Sequence, residues 1–523
     1  MAARKSSFIA CGAAAAAALL FCAPAFAAQA EGSAQLPEDI AAAFKESGVS
    51  YAEAGIWVAP AGASDPVLEL NARRPMQPGS VIKTVTTLAA LDLLGPAYTW
   101  KTEFLADAMP DSKGRVTGLV VKGGGDPHFV IERLWLAAQK LSLLGVKTID
   151  GNITIDRSLF DLPAFDEGDF DGQRTRPYNV GADAAMVAFK SVSLSITPVE
   201  GEASARVIAL PSLAGVAFPS RVPLSSGSCG DWKQKIKPDF SDPLHIRFRG
   251  AFPRACGQKT LNLTLWAADD YFTRAFSHVL AQNGIRWKGR AVEGSASAGS
   301  RAKNGVNKVE LLTETSEPLA VAAYWTNKFS NNPMARHIFL SLSFAEVEDQ
   351  ASGASLERSR RVLSHWASES TGLSQAELQK SFYVENGSGL SRKTRVTPEA
   401  LGRILSWGFK SAVMPEFMAT LPIAGEDGTM RKRGLSAGAG HIKTGLLENV
   451  RAAAGYVTDD AGMRWSVVAI VNARPMKAGA QKLTQAVLEW CASGGARRAL
   501  AQKEAGRKRV PGVFEGRPVG RLQ

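Results

Sequence analysis

The chain has 523 residues, of which 45% are hydrophobic and 21% are charged. That composition is typical of a globular protein, and the length exceeds what one hydrophobic core usually serves, so two or three domains are expected. The net charge of +12 does not indicate a nucleic-acid partner, because half of it lies in residues 497–523, where no pattern of base-stacking aromatic residues accompanies it.

Residues 1–27 have the pattern of a secretory signal peptide, with a basic start, an Ala/Leu-rich apolar stretch and a small-residue cleavage site near Ala27 or Ala30. A permanent membrane anchor is the alternative, which the poly-alanine composition and Pro24 disfavour. No later segment is long and apolar enough to cross a bilayer. The sequence therefore predicts an exported protein of the periplasm or cell envelope.

The cysteines agree with export. Cys229 and Cys256 each lie in a turn-rich setting, and a disulfide between them is expected in an oxidising compartment, with Cys491 buried on a helix. No CxxC or Cys/His ligand pattern occurs, so neither a metal nor another cofactor is predicted.

The predicted elements divide the chain into three regions. The segments 55–60 and 67–72 have the pattern of two strands, and a helix follows from Ser80 to about Leu94. A strand-rich middle region ends in the polar linker 293–305. Helices return from Leu311, and three strands and a last helix close the chain. This order predicts an α/β fold whose antiparallel sheet is built from both chain ends and flanked by helices, with a β-rich insertion between them.

The C-terminal residues 497–523 contain eight basic and two acidic residues and have no apolar period. This composition predicts a disordered basic tail. Two roles stay open for the tail, a weak contact with an anionic membrane or wall polymer and a purely solubilising one.

Ser80 and Lys83 are the first candidates for catalysis. On a helix, residues three apart lie on one face, and a serine hydroxyl needs an adjacent base to act as a nucleophile. Burial among apolar residues lowers the pKa of a lysine, so Lys83 is suited to be that base. An N-cap serine beside a solvated lysine is the structural alternative, and Ser300 and Lys303 repeat the spacing in the linker.

Two further motifs add to this pair. Ser330 and Asn332 lie at the start of an apolar helix, where a hydroxyl can relay a proton and a carboxamide can hold Lys83 and a substrate amide. Lys443, Thr444 and Gly445 open a strand pair, where lysine and threonine can bind a carboxylate and glycine allows a close backbone approach. A simple helix cap and an edge-strand lysine are the respective structural alternatives.

The three motifs occur in the order known for penicillin-binding proteins and serine β-lactamases. Together with the segments "GGGDPHF", "LGVKTIDGNITIDRSLFD", "NGSGLSRKTRVTPEAL" and "LPIAGEDGTMRKR", they make the sequence resemble the class C low-molecular-mass penicillin-binding proteins, the D-alanyl-D-alanine carboxypeptidases and endopeptidases. The resemblance covers about residues 35 to 490. It implies a transpeptidase/β-lactamase-like domain in two parts, 31–100 and 305–492, interrupted at 101–304 by a nested pair of inserted domains.

The resemblance also implies roles for single residues. Ser80 is the acylated nucleophile, Lys83 its base and Ser330 the proton shuttle. Asn332 positions the substrate and the lysine.

On the strand, Lys443 and Thr444 hold the terminal carboxylate of the substrate. The backbone N–H groups of Ser80 and Leu446 form the oxyanion hole. Two positions depart from the family pattern: Leu446 stands where relatives often carry threonine or serine, and Asn386 stands where aspartate is commoner.

The expected activity is metal-free hydrolysis of peptidoglycan stem peptides through an acyl-enzyme, either as a D-Ala-D-Ala carboxypeptidase or as a DD-endopeptidase. β-Lactams are expected to acylate the same serine as covalent inhibitors. Two alternatives stay open, a β-lactamase or SxxK esterase and a non-catalytic wall-binding protein.

Overall fold

The structure, a computed structural model, describes residues 36–296, 308–345, 353–435 and 438–508. The predicted signal peptide, most of the predicted linker and the last part of the predicted tail lie outside these ranges. The α-helices of the described residues are α1 Glu38–Ser47, α2 Lys83–Leu94, α3 Ile131–Leu143, α4 Trp232–Lys235, α5 Ala268–Gln282, α6 Leu319–Lys328, α7 Asn332–Ser341, α8 Leu356–Thr371, α9 Gln375–Ser381, α10 Pro398–Lys410, α11 Met414–Thr420, α12 Ala480–Ala492 and α13 Gly495–Lys508.

The strands of the same ranges are β1 Ala54–Pro60, β2 Leu68–Leu70, β3 Lys101–Ala106, β4 Arg115–Thr117, β5 Val120–Lys122, β6 Thr148–Asp150, β7 Ile153–Asp156, β8 Phe160–Asp161, β9 Val192–Pro198, β10 Ser204–Leu210, β11 Arg221–Ser225, β12 Pro238–Asp239, β13 Arg247–Phe248, β14 Phe252–Pro253, β15 Lys259–Leu263, β16 Arg286–Trp287, β17 Ala291–Glu293, β18 Val309–Thr315, β19 Ala354–Ser355, β20 Phe382–Tyr383, β21 Arg395–Val396, β22 Gly440–Leu447, β23 Val450–Thr458 and β24 Arg464–Asn472.

The central sheet is antiparallel and joins both ends of the chain, in the order β2-β1-β24-β23-β22. Side chains alternate between the two faces of a strand. Trp57 and Val468 therefore pack in the layer that contains α2 and α10, whereas Ile56 and Val58 pack in the layer that contains α1 and α12. The predicted fold class, an antiparallel sheet flanked by helices and interrupted by an insertion, is confirmed.

The insertion contains two five-stranded sheets. The first has the order β17-β7-β5-β3-β18, and the second, β14-β11-β10-β9-β15, lies within it along the sequence. One hydrophobic cluster includes residues of both sheets, so the two sheets share a core. The region was expected to be β-rich, but the two long helices α3 and α5 also belong to it, and their apolar faces fill that shared core.

The insertion ends later than the predicted boundary at residue 304. Strand β18 pairs with β3 in antiparallel register from Val309 to Thr315. Where the chain crosses back, the N–H of Trp100 donates to Ser316 Oγ over 2.9 Å and the N–H of Ser316 donates to the Trp100 carbonyl over 2.9 Å. The insertion therefore includes β18, which covers the outer edge of β3.

The predicted disorder of the tail is wrong for residues 497–508, because they form most of α13. Ala496 is buried and Leu500 packs against the core below α12. Arg497 forms an ion pair with Asp460, and Lys503 pairs with Asp65 over 2.7 Å. These contacts hold α13 against the rest of the chain, although its basic composition alone predicts a solvated segment.

Cys229 and Cys256 form a disulfide with a Cα–Cα distance of 4.7 Å, and the free Cys491 is buried on α12. Within the described ranges, no helix combines the length and the hydrophobicity that a membrane span requires.

We expect Gly402→Ala to destabilise the fold. A Cβ at this position of α10 would lie 2.1 Å from the indole ring of Trp57, which is fully buried in the central sheet. Such overpacking lowers the free energy of unfolding by about 1–3 kcal/mol, measurable by urea denaturation. Gly434→Ala is the matched control, because its nearest contact would be at 4.0 Å. Equal unfolding midpoints of the two variants would contradict this packing.

Candidate active site

Ser80 lies in a 3-10 turn, Gly79–Ile82, that leads into α2. The predicted helix thus begins with a tighter turn, and its regular part starts at Lys83. Gly79 has a left-handed φ of 55°. A Cβ on Gly79 would lie 3.6 Å from the Leu446 nitrogen, and a Cβ on Gly445 would lie 2.6 Å from the Pro78 carbonyl. Both glycines therefore bring the backbone of β22 against the serine turn.

Lys83 is fully buried and is surrounded by oxygen atoms. Its Nζ lies 2.9 Å from Ser80 Oγ and 2.6 Å from Asn332 Oδ1, and it also contacts the Ser388 carbonyl oxygen. A neutral amine has two N–H donors and one lone pair. The two carbonyl-type oxygens can accept both donors, which leaves the lone pair for the Ser80 hydroxyl proton.

Burial lowers the pKa of Lys83 well below its usual value, and the positive charges of Lys443 and Arg336 lower it further. Desolvation is the main cause, because the charged amine loses its hydration. A buried lysine with this surrounding is suited to accept a proton at neutral pH.

Ser330 and Asn332 lie on either side of the residue that caps α7. The cap is Asn331, whose side chain accepts a hydrogen bond from the Met334 N–H. Ser330 has a φ of 57°, a left-handed conformation that few non-glycine residues adopt. Because Asn331 satisfies the helix end, the side chains of Ser330 and Asn332 are available to the site.

Lys443 is fully buried on β22. Its Nζ lies 3.0 Å from Ser330 Oγ and 2.9 Å from the Thr444 carbonyl. Burial lowers the pKa of Lys443 to about 7, with a smaller effect from Arg433. The Thr444 hydroxyl donates to Thr429 Oγ1 over 2.9 Å. Leu446 is 60% exposed, so most of its side chain is in contact with solvent.

The three motifs therefore meet in one place. Hydrogen bonds join Ser80 to Lys83, Lys83 to Asn332, and Lys443 to Ser330. Among the described residues, no group of three or more His, Cys, Asp or Glu side chains is arranged to hold a metal ion.

Reasoning from the sequence did not find several groups of the site. The Ser388 carbonyl contacts Lys83, and the loop around it is held by Asn386, whose Oδ1 accepts from the N–H and the hydroxyl of Ser388. Thr429 contacts Thr444. Both groups lie in segments that carry the family resemblance, "NGSGLSR" and "GEDGTM", which is the signal that could have marked them.

A model of the D-Ala-D-Ala carboxypeptidase 3 (S13) family matches residues 36–493. The chain belongs to this family. Its relatives include the D-alanyl-D-alanine carboxypeptidase of Actinomadura sp. (strain R39), which is 25% identical over 83% of this chain and 80% of the relative. The D-alanyl-D-alanine carboxypeptidase DacB of Haemophilus influenzae is 23% identical over 78% of this chain and 82% of the relative.

Two solved structures have a fold similar to that of this chain. Penicillin binding protein 4 (DacB) from Haemophilus influenzae has a TM-score of 0.64 at 20% identity, covering 86% of this chain and 98% of that structure. A complex of that protein with a β-lactam has a TM-score of 0.58. The predicted family and the predicted enzyme class, a serine-type D-Ala-D-Ala carboxypeptidase, are confirmed.

We expect Asn386→Asp to retain activity and Asn386→Ala to reduce it. Aspartate keeps both hydrogen bonds accepted from Ser388 and loses only the one donated to the Leu390 carbonyl over 3.1 Å. Alanine loses all three, so the Ser388 carbonyl is no longer held against Lys83.

The rate of acylation by a fluorescent penicillin measures this difference. A fall of about tenfold is expected for Asn386→Ala, the kinetic equivalent of about 1.4 kcal/mol. Equal rates for both variants would show that the loop does not depend on Asn386.

Proposed function

We propose that this S13 enzyme is an exported serine DD-peptidase. Its Ser80 attacks the D-Ala carbonyl of peptidoglycan stem peptides and thereby cleaves the peptide bond that follows. The bond cleaved is either D-Ala–D-Ala, in a carboxypeptidase reaction, or a D-Ala–diamino-acid crosslink, in an endopeptidase reaction. The observation that carries the proposal is the buried Lys83 amine at 2.9 Å from the Ser80 hydroxyl, because a nucleophilic serine needs an adjacent uncharged base.

In the acylation step, Ser80 Oγ attacks the D-Ala carbonyl carbon while its proton moves to Lys83 Nζ. The C–N bond then breaks, and the leaving amine takes a proton from Ser330 Oγ. Lys83 returns its proton to Ser330 and is uncharged again, while Lys443 Nζ, 3.0 Å from Ser330 Oγ, orients this hydroxyl. Water subsequently hydrolyses the ester, and the net reaction is the addition of one water molecule across the peptide bond.

The developing oxyanion is assigned to the backbone N–H groups of Ser80 and Leu446. The close approach of Gly445 to the Pro78 carbonyl, which a Cβ on Gly445 would meet at 2.6 Å, supports this assignment, since such donors must converge on one point. The terminal carboxylate of the substrate is assigned to Lys443 and the Thr444 hydroxyl. A bound carboxylate favours the charged form of Lys443, whose pKa in the free enzyme is about 7.

The position of β22 favours an extended peptide as the substrate. This strand ends the order of the central sheet. Residues 422–424 pair with its outer edge at Gly440–Ile442, and beyond Ile442 no other strand of the described ranges pairs with that edge. An extended peptide can add to such an edge through main-chain hydrogen bonds. The same edge suits a β-lactam, and we assign to β-lactams the role of covalent inhibitors that acylate Ser80.

Export to the periplasm or cell envelope is supported by the signal pattern of residues 1–27 and by the Cys229–Cys256 disulfide, since disulfides persist in oxidising compartments. The contact of the basic tail with anionic membrane or wall polymer stays a prediction. Fewer basic residues are available for that contact than the sequence indicated, because Arg497 and Lys503 pair with carboxylates of the chain.

Labelling by a fluorescent penicillin tests the assignment of the nucleophile. Wild-type protein should be labelled, and Ser80→Ala should not, because no other residue supplies the attacking oxygen. Chromatography of muropeptides digested by the same two proteins then separates release of D-Ala from cleavage of crosslinks. Equal labelling of both proteins would overturn the assignment. Labelling without any muropeptide product would favour a penicillin-binding protein that lacks peptidase activity.

Leu446→Thr should increase the catalytic efficiency of D-Ala release. Residues two apart lie on one face of a strand, so a threonine at 446 would present its hydroxyl on the same face as Thr444. One added hydrogen bond to a carboxylate contributes about 1.5–3 kcal/mol, which corresponds to an increase of roughly tenfold or more in kcat/KM. Leu446→Val is the control, because it changes shape without adding a donor. An equal effect of both substitutions would contradict a role of this position in carboxylate binding.

A further inference from the structure

Arg336 is a buried cation one helical turn beyond Asn332 on α7. Only 5% of it is exposed, and within the described ranges it forms no ion pair. Burying a charged group costs several kcal/mol unless partners compensate. A guanidinium held in this way next to a catalytic residue therefore calls for a functional explanation.

Its partners are backbone carbonyls of the insertion. One guanidinium nitrogen donates to the carbonyls of Asn179 and Val180, and the guanidinium lies 4.9 Å from the centre of the Phe165 ring. The Nε atom has no hydrogen-bond partner among the described residues. Arg336 thus joins α7 to a segment that lies about 150 residues away along the chain.

Two neighbours of Arg336 on α7 bind the same segment. The Asn332 amide donates to the Tyr178 carbonyl over 3.0 Å, and His337 Nε2 accepts from the Asp183 N–H over 3.2 Å. Burial lowers the pKa of His337 to about 4, so its uncharged ring can accept this bond. The three side chains hold residues 178–183 along one side of the helix, and this fixes the amide of Asn332 with its oxygen towards Lys83.

The charge of Arg336 acts on the same lysine. Burial lowers the pKa of Arg336 to about 10, while Glu167 and Glu385 oppose that shift, so Arg336 is charged at neutral pH. The charged groups that act on Lys83 are Lys443 from β22 and Arg336 from α7, both positive. The Ser80 hydroxyl, the Asn332 amide and the Ser388 carbonyl complete its surroundings without charge.

We propose that Arg336 is a positioning residue of this active site. It ties α7 to the insertion so that Asn332 is held against Lys83, and its positive charge keeps Lys83 in the uncharged form that takes the Ser80 proton. The inference rests on the proposed function of Ser80 and Lys83. It also assigns the insertion a part in catalysis, through the carbonyls of residues 178–180.

The pH dependence of acylation by a fluorescent penicillin tests the proposal. The rate should fall on the acidic side as Lys83 becomes protonated. Removing a positive charge near Lys83 raises its pKa, so in Arg336→Met this acidic limb should move to higher pH. A merely structural role of Arg336 would lower the rate at all pH values and leave the limb in place.

Arg336→Lys separates the two parts of the role. Lysine keeps the charge but lacks the planar guanidinium that lies over the Phe165 ring while it donates to the carbonyls, so the limb should stay near its wild-type position while the rate falls. Arg274→Met is the matched control, because Arg274 also lies on a helix and donates to a backbone carbonyl, that of Ala214, but within the insertion. Its limb and its rate should equal those of the wild type.

A second variant without the positive charge keeps the proposal testable if Arg336→Met does not fold. If circular dichroism shows that Arg336→Met is unfolded, the limb is measured in Arg336→Gln, whose amide can still donate to one of the two carbonyls. A limb that coincides with the wild type in a folded, acylated variant of either kind would overturn the proposal alone. Absence of acylation in the wild type would instead contradict the proposed function, and the role of Arg336 with it.

Discussion

The site depends on the burial of one amine without a carboxylate partner. Lys83 has no access to solvent, and its neighbours are a hydroxyl, an amide oxygen and a backbone carbonyl. In that setting the charged form loses hydration and gains no counter-charge, so the neutral form is favoured. Each neighbour comes from a different part of the chain, and the fold must bring them together before Ser80 has a base.

The domain that holds Lys83 is built from two parts of the chain, which the insertion separates. Strand β1 comes before the insertion, and β22 to β24 come after it, yet they pair in one sheet. The insertion leaves the domain at Trp100 and returns at Ser316, where two hydrogen bonds join the crossing strands. Its segment 178–183 then reaches back to α7. The insertion is thus bound to the helix that carries Asn332, at a second place far from its point of entry.

The sequence predicted the elements that have strong periodicity and the side chains that have a chemical signature. Strands β1 and β24 of the central sheet contain apolar runs, and the pairs Ser80/Lys83 and Lys443/Thr444 combine residue types with evident chemistry. The Ser388 carbonyl has no such signature, because any residue presents one. Helix α13 was missed because its charges are satisfied by Asp65 and Asp460, which are distant in sequence. Arg336 was missed because its partners are backbone oxygens of the insertion.

The two departures from the family pattern differ in their physical consequence. Asn386 supplies through Oδ1 the two acceptor contacts that an aspartate would supply, and its amide adds a donor to the Leu390 carbonyl. The substitution therefore preserves the loop that presents the Ser388 carbonyl. The Leu446 side chain is largely exposed. Only the backbone N–H of this residue is assigned to the oxyanion hole. Neither departure therefore removes the base, the proton relay or the backbone donors, because Asn386 makes the loop contacts of an aspartate and only the strength of carboxylate binding depends on residue 446.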